Sequence, residues 1–434
     1  MTEMSSAAMA ATIGTTGIKA PGSTPERTRR GYTPSLAIVN FGVYVGLLTP
    51  VMVSMAFKIQ RLSPDAAAAT ANLGTVLGIG ALFALIANPL AGRLSDRTTS
   101  RWGMRRPWIL GGVITGFLAL AVIGIATSIW LIVLAWCVVQ VSMNAALAAA
   151  NATLPDQVPA DRRGAVSGII GITLPIAMLA GNSLVGLVAD DLLRFVLPAS
   201  VSVAAAVMFV IVLKDRRLES KPEGKFGFGE FFGSFVFNPR KHPDFGWTWL
   251  TKFLVMFGYA GIATFLPLYL VQNFGLSEQE TIQTILLANA SSTVAMLISS
   301  PLSGWLSDKL GRRKPFVTIA GLVMVVGLAI LAFAPNVAVL IIAQTVIGFG
   351  SGAFLSVDLA LATQVLPNKN DIAKDLGVLN IANALPQSIA PAIAPTVIAL
   401  GAMTPLGGYT VFYLFGALVA LTGAVLVHRI KGVN

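Results

Sequence analysis

Long runs of apolar residues, separated by short polar stretches, recur along the whole chain. None of them alternates between apolar and polar residues, which is the pattern of a membrane β-barrel strand. Each is long enough to cross the ~30 Å apolar core of a bilayer as a helix. Since only helices and closed barrels cross lipid, the pattern predicts an all-α integral membrane protein with 12 transmembrane helices. The predicted spans, numbered 1 to 12, are 34–58, 65–91, 107–127, 129–153, 164–189, 193–213, 246–272, 279–303, 315–334, 336–365, 376–400 and 407–428.

The polar stretches divide the chain into five parts. Residues 1–31 are predicted to be a disordered tail, 32–213 a six-helix bundle, 214–245 a linker, 246–428 a second six-helix bundle and 429–434 a short tail. The linker carries six phenylalanines among basic residues. Two interpretations of it stay open, a segment lying against the membrane surface and a loop packed on the helix ends.

The two halves share a motif between their second and third spans. Gly-Arg-Leu-Ser-Asp begins at Gly92, and Gly-Trp-Leu-Ser-Asp begins at Gly304. The two aspartates, Asp96 and Asp308, are therefore 212 residues apart, and two Leu-Pro pairs further along the chain have the same offset. A shared offset is the signature of an internal duplication. We therefore expect two pseudo-symmetric six-helix bundles.

Charge is scarce and unevenly distributed. Only 11% of the 434 residues are charged, and the mean hydropathy is +0.77. Of the 30 Lys and Arg residues, only Lys58, Arg61 and Arg194 fall on the face opposite the termini. This asymmetry predicts cytoplasmic termini in a multi-pass protein of the cell inner membrane. It also accounts for the net charge of +11 without nucleic-acid binding.

The motifs of enzymes are absent from the sequence. There is no phosphate-binding loop, nucleophile elbow or cluster of metal ligands, and Cys137 is the single cysteine. The protein is therefore predicted to be no enzyme and to need no cofactor and no metal. Its predicted partners are the lipid bilayer, a small-molecule solute and a proton. A membrane-embedded enzyme and a non-transporting receptor are the alternatives.

The duplicated motif and the 12 spans resemble the major facilitator superfamily. The longer form of the first loop, Leu-Ser-Asp-Arg-Thr-Thr-Ser-Arg-Trp-Gly-Met-Arg-Arg-Pro-Trp from Leu94, is similar to that of sucrose:proton symporters and their glycoside-transporting relatives. The resemblance implies secondary transport by alternating access, of a sugar or glycoside with a proton. The alternative is a proton-driven drug or metabolite exporter, although the Gly-Pro pattern of drug antiporters is missing from span 5.

The resemblance also implies a gate in the two loops. In the family, the aspartate of this motif closes the cytoplasmic side by bonding to the opposite half, and that role carries over to Asp96 and Asp308. The alternative is that the basic loops only anchor the topology. The predicted gate residues are Gly92, Asp96, Arg97, Gly103, Arg105 and Arg106 in the first half and Asp308, Gly311, Arg312 and Arg313 in the second.

One carboxylate, Asp358, lies within an apolar run. No Lys or Arg is expected deep enough in any span to pair with it. Burying a charge in lipid costs free energy, so an ionisable residue within a span indicates a function. A carboxyl group without a cationic partner costs less to bury as the protonated acid than as the anion. Asp358 is therefore predicted to couple transport to a proton, with a structural brace near the cytoplasmic end as the alternative.

Polar and aromatic side chains at helical spacing form stripes on several spans. Amides and rings suit a polyhydroxylated solute, although the same residue types also bond helices to one another. The resemblance implies that spans 1, 4, 7 and 10 line the cavity, which favours them over a stripe of Asn380, Asn383 and Gln387 on span 11. The predicted substrate-binding residues are Asn40, Tyr44, Trp136, Gln140, Asn144, Tyr259, Gln344 and Ser351.

Overall fold

The structure, a computed structural model, describes residues 28–218, 238–366 and 372–432. Within these ranges, 12 helices are long and apolar enough to cross a membrane, one for each predicted span. The six phenylalanines of the predicted linker, and nearly all of the predicted N-terminal tail, lie outside the described residues. The helices are α1 Tyr32–Leu62, α2 Ala66–Ser95, α3 Arg106–Ile125, α4 Ile129–Gln157, α5 Arg163–Gly186, α6 Asp191–Val212, α7 Pro243–Phe274, α8 Glu278–Leu310, α9 Lys314–Ala332, α10 Val337–Ala362, α11 Ile372–Ala402 and α12 Gly408–Arg429.

Local sequence sets where several helices begin and end. At the turn between α7 and α8, Gly275 adopts a φ of 65°, which ends α7. Ser277 and Glu280 then form a capping box at the start of α8. In α1, Pro50 has no N–H and begins a π-helical turn over Pro50–Ser54, in which the N–H of Met55 bonds to the Pro50 carbonyl.

The two halves pack in the same way. In the first, α1 contacts α5 and α6, and α4 contacts α2 and α3; in the second, α7 contacts α11 and α12, and α10 contacts α8 and α9. The halves meet along two related pairs, α2 with α11 and α5 with α8. A Cβ built on Gly74 of α2 would lie 2.4 Å from Cγ of Pro395 in α11. Glycine therefore permits this close crossing.

The halves are closed on one side of the membrane. We call the side on which α1 begins and α12 ends the terminal face, and the other side the opposite face. At the opposite face, Gln272 donates to the Ala66 carbonyl at 3.4 Å, and Gln279 donates to the Gly186 carbonyl at 3.5 Å. Each of these bonds joins one half to the other. Towards the terminal face, a cavity separates the halves.

Candidate functional site

The cavity has a volume of about 670 Å³ and lies between the two halves. It extends towards the terminal face, where its wall includes Asn88 near the end of α2 and Asn380 near the start of α11. All of its lining residues are uncharged. The polar ones are Tyr44, Asn88, Gln140, Asn144, Thr264, Asn380, Asn383, Gln387 and Ser388, and the rest are apolar, including Leu47, Leu48, Val51, Leu77, Leu85 and Ile86.

Amide side chains from both halves contribute to the cavity wall. On α4, the side-chain NH₂ of Asn144 donates to Oε1 of Gln140 at 3.0 Å and to the Gln140 carbonyl at 2.8 Å. These bonds leave the NH₂ of Gln140 and Oδ1 of Asn144 for a solute. On α11, Asn380, Asn383 and Gln387 follow one face of the helix at spacings of three and four residues. The cavity thus offers both donors and acceptors from two sides.

Three of the predicted substrate-binding residues, Tyr44, Gln140 and Asn144, line this cavity. The other five do not. Asn40 and Trp136 are fully buried, and a Cβ on Gly80 of α2 would lie 2.4 Å from the indole nitrogen of Trp136. The hydroxyl of Ser351 donates to a carbonyl of its own helix at 3.0 Å. Like Gln344, it is buried, whereas Tyr259 packs against the apolar core.

In this conformation the polar stripe of span 11, rather than that of span 10, lines the cavity. The amides of α11 line the cavity, whereas Gln344 and Ser351 of α10 do not. The reason is packing, since α11 lies against α2 of the other half and α10 lies against α8 and α9 of its own half. The helical spacing of the α11 stripe was the sequence signal for these residues.

The expectation that Asp358 has no cationic partner is wrong. Nζ of Lys252 on α7 lies 2.9 Å from Oδ2 of Asp358 on α10, so the two side chains form an ion pair. Both side chains are buried, with exposed fractions of 11% and 2%. Because α7 begins at Pro243, Lys252 lies about 13 Å along the helix from its start. Span 7 therefore carries a cation deep enough to meet Asp358.

Arg105 is the centre of the first gate loop. Its guanidinium donates to Asp96 and to the hydroxyl of Ser95, and it lies 3.7 Å from Asp156 at the end of α4. Its side chain is 5% exposed. These partners all belong to the first half. The bond from Asp96 to the opposite half, which the resemblance implies, is not among the contacts described for this conformation.

Asp215 holds the same loop from the end of α6. One of its oxygens accepts the backbone N–H groups of Arg105 and Arg106, at 2.7 and 2.8 Å, at the start of α3. A carboxylate at that position suits the N-terminal end of a helix. Gly103 has a φ of 108°, and a Cβ there would lie 2.2 Å from Asp215. Gly92, in contrast, is helical, and a Cβ there would have no heavy atom within 4 Å.

The second gate loop is simpler in the residues that the structure describes. Gly311 has a φ of 62° and ends α8, and Nη2 of Arg313 lies 3.0 Å from Oδ1 of Asp308. Arg312 is exposed. The two loops thus share an Asp–Arg pair. The pair of the second loop is more exposed, because the Arg313 side chain is 21% exposed where that of Arg105 is 5% exposed.

Comparison with known families decides what kind of protein carries this site. The family model described as Major Facilitator Superfamily matches residues 34–296 and 279–432. The chain belongs to the major facilitator superfamily. It is a transporter that works by alternating access, in which a central site faces one side of the membrane at a time. The fold prediction is confirmed.

The relatives within the superfamily are named either as multidrug resistance proteins or as a symporter. The chain is 30% identical to the multi-drug resistance efflux pump PmrA of Streptococcus pneumoniae over 42% of its own length and 44% of that protein's. It is 26% identical to multidrug resistance protein 2 of Bacillus subtilis over 68% and 69% of the two chains. Over 41 residues, 9% of this chain and 8% of the other, it is 61% identical to an uncharacterized symporter of Synechocystis.

The fold extends to solved structures of the superfamily. The structure of the nucleoside transporter NupG superposes with a TM-score of 0.72, over 92% of this chain and 99% of that one, at 15% identity. Two residues near the gate loop, Asp156 and Asp215, were not predicted from the sequence. Asp156 lies at the end of α4, and Asp215 follows the end of α6. Neither residue lies within the repeated motif. Their positions beside Arg105 depend on the packing of α4 and α6 against α3.

Proposed function

We propose that this transporter moves a neutral, amphipathic solute, a sugar or glycoside, together with a proton. The observation that carries this proposal is the uncharged cavity between the halves. Amides from α4 and α11 suit hydroxyl groups, since each amide both donates and accepts. The leucines of α1 and α2 suit an apolar ring or aglycone. A charged solute would find no opposite charge among the lining residues described.

Proton coupling is assigned to Asp358. In the ion pair, Asp358 is an anion beside the Lys252 ammonium. A proton on Asp358 releases Lys252 from the pair and changes how α7 and α10 are held together. Because α7 contributes Thr264 to the cavity wall, a change in the packing of α7 reaches the solute site. The same helix, α7, therefore carries the partner of the protonated residue and part of the wall of the solute cavity.

The terminal face is proposed to be the cytoplasmic one, in the cell inner membrane. The support is the charge asymmetry, because Lys and Arg are concentrated in cytoplasmic loops of membrane proteins. On this assignment the cavity faces the cytoplasm in the conformation described. The two gate loops then lie on the cytoplasmic side, with Asp96 and Asp308 as the residues that close it.

Export of a drug or metabolite by proton exchange is the second candidate. The names of PmrA and of the Bacillus subtilis protein favour it. The apolar part of the cavity also suits a lipophilic drug. The two candidates differ in their demand on the amides, because a polyhydroxylated solute needs them and a lipophilic drug does not.

A binding measurement tests the proposed solute class. The purified protein is mixed with a panel of sugars, aryl glycosides, nucleosides and cationic dyes, and the melting temperature Tm is recorded. A glycoside is expected to raise Tm, and Gln140→Ala is expected to remove that rise because Gln140 lines the cavity. Gln344→Ala is the matched control, since Gln344 is buried outside the cavity lining. Stabilisation by dyes alone, unchanged in Gln140→Ala, would favour export.

A further inference from the structure

Five charged side chains cluster at the opposite face. Three of them are the cations that the charge count assigns to that face, Lys58, Arg61 and Arg194. Lys58 lies 3.2 Å from Asp191, and Arg61 also contacts Asp191. These four residues belong to α1 and α6, which are both in the first half. The fifth member, Glu278, is the first residue of α8 in the second half.

Glu278 is held from across the interface between the halves. Its Oε1 lies 3.2 Å from Nη1 of Arg61, and its Oε2 accepts a hydrogen bond of 2.6 Å from Nη1 of Arg194. Each oxygen of the carboxylate therefore has its own arginine partner. Both partners lie in the other half of the protein. In the gate loops of the terminal face, by contrast, the Asp–Arg pairs described lie within one half.

Arg194 is also held by contacts within the first half. Its Nε donates to the Val188 carbonyl at 3.1 Å, and its guanidinium carbon lies 5.5 Å from the ring centroid of Phe57. Its backbone carbonyl accepts from Ser54 at 3.2 Å. With the halves together only 4% of its side chain is exposed, and the contacts with Val188 and Phe57 restrain its guanidinium from within the first half. A receptor of this kind binds a carboxylate with little further ordering cost.

Opening of the opposite face must break these contacts. In alternating access the two halves move apart on the side that opens, so the start of α8 has to leave α1 and α6. We propose that Glu278, with Arg61 and Arg194, forms an ionic latch that holds the opposite face closed and sets how often it opens. Glu278 acts here as a positioning residue, because it touches neither the cavity nor a solute.

The latch is tested by distances across the opposite face. Spin labels are attached to cysteines at Leu187, after α5, and Met403, after α11, which are 78% and 83% exposed at that face in different halves. The background is Cys137→Ser. Pulsed electron paramagnetic resonance then gives the distribution of distances between the two spin labels. Glu278→Gln is expected to raise the population with the longer distance by about fivefold, the factor that loss of ~1 kcal/mol of ion pairing produces.

The control lies on the same helical turn. Glu280→Gln also removes one negative charge at the start of α8, but glutamine preserves the capping box and Glu280 contacts only Ser277 among the bonds described. It is expected to leave the distribution unchanged. Glu278→Asp, which keeps the charge, is expected to restore part of the closed population.

Two results would overturn the latch. One is a distance distribution in Glu278→Gln that matches the wild type. The other is an equal shift in Glu280→Gln, which would mean that total charge, rather than the pairs with Arg61 and Arg194, controls the opening. Should Glu278→Gln not fold, Arg61→Gln removes one of the two arginine partners of Glu278, together with the Arg61–Asp191 contact within the first half, at a residue whose side chain is 42% exposed. The readout needs neither a solute nor a proton gradient, so it is independent of the proposed function.

Discussion

Neutralising one partner of the buried pair between α7 and α10 is expected to damage the protein more than neutralising both. Asp358→Asn removes the anion and leaves the Lys252 ammonium buried, with 11% of its side chain exposed. Lys252→Met leaves the opposite charge, on a side chain that is 2% exposed. In each single variant a charge remains away from water without its partner.

The structure fixes the order of magnitude. At the observed 2.9 Å, two unit charges attract by about 6 kcal/mol at an effective dielectric constant of 20. Desolvation offsets part of this attraction. Removing one partner of a buried pair costs about 3–5 kcal/mol, whereas replacing both by apolar residues of similar size is often neutral. We therefore expect a large loss in each single variant and a small one in the double variant Lys252→Met/Asp358→Leu.

Thermal unfolding of the four proteins in the same detergent measures this coupling. Each single variant is expected to lower Tm by several degrees, and the double variant is expected to recover most of the loss. Transport separates stability from proton coupling. Asp358→Asn and the double variant are expected to lose accumulation of solute against a gradient and to retain exchange of labelled for unlabelled solute.

Additive losses in the double variant would refute the ion pair. Accumulation by the Asp358→Asn variant under an imposed pH gradient would refute the proton-coupling role and leave the pair as a brace between helices. These outcomes are separate. The first concerns the contact at 2.9 Å, and the second concerns what that contact does.

Three further predictions concern the terminal face. Ser100→Cys, in a Cys137→Ser background, is expected to react with an impermeant thiol reagent only in permeabilised cells. Labelling in intact cells would show that the predicted topology is inverted. Asp96→Asn is expected to slow transport strongly without unfolding the protein, and a wild-type rate would reduce the loop to a topology anchor. Gly103→Ala is expected to lower Tm by several degrees, because the backbone at Gly103 has a φ of 108° and a Cβ added there would lie 2.2 Å from Asp215. Gly111→Ala is the control and is expected to change Tm little, because a Cβ added at Gly111 would have no heavy atom within 4 Å.

The spans and the duplication were predictable because both are local patterns in the sequence. Apolar length predicted all 12 helices, since lipid leaves the backbone no other way to satisfy its hydrogen bonds. The offset between Asp96 and Asp308 predicted two similar halves. The ranges from Tyr32 to Val212 and from Pro243 to Arg429 contain six helices each, with matching contacts.

Partners that come together from distant helices were not predictable. Lys252 lies 106 residues from Asp358 in sequence, and nothing local to either residue indicates that α7 and α10 bring them together. Asp215 lies outside the repeated motif, and its contact with Arg105 depends on where α6 ends. For the cavity, helical spacing found the amide stripes, but which stripe meets solvent depends on how the halves pack. The three cations of the opposite face were visible in the charge count, but the pairing of Arg61 and Arg194 with Glu278 was not.

Solute uptake into proteoliposomes tests the central proposal most directly. The purified protein is reconstituted, a pH gradient is imposed, and entry of a radiolabelled aryl glucoside is followed with and without a protonophore. The proposal predicts accumulation above the external concentration that the protonophore abolishes and that Gln140→Ala strongly reduces. Uptake that ignores the pH gradient, or movement of cationic dyes in exchange for protons with no movement of the glucoside, would contradict it.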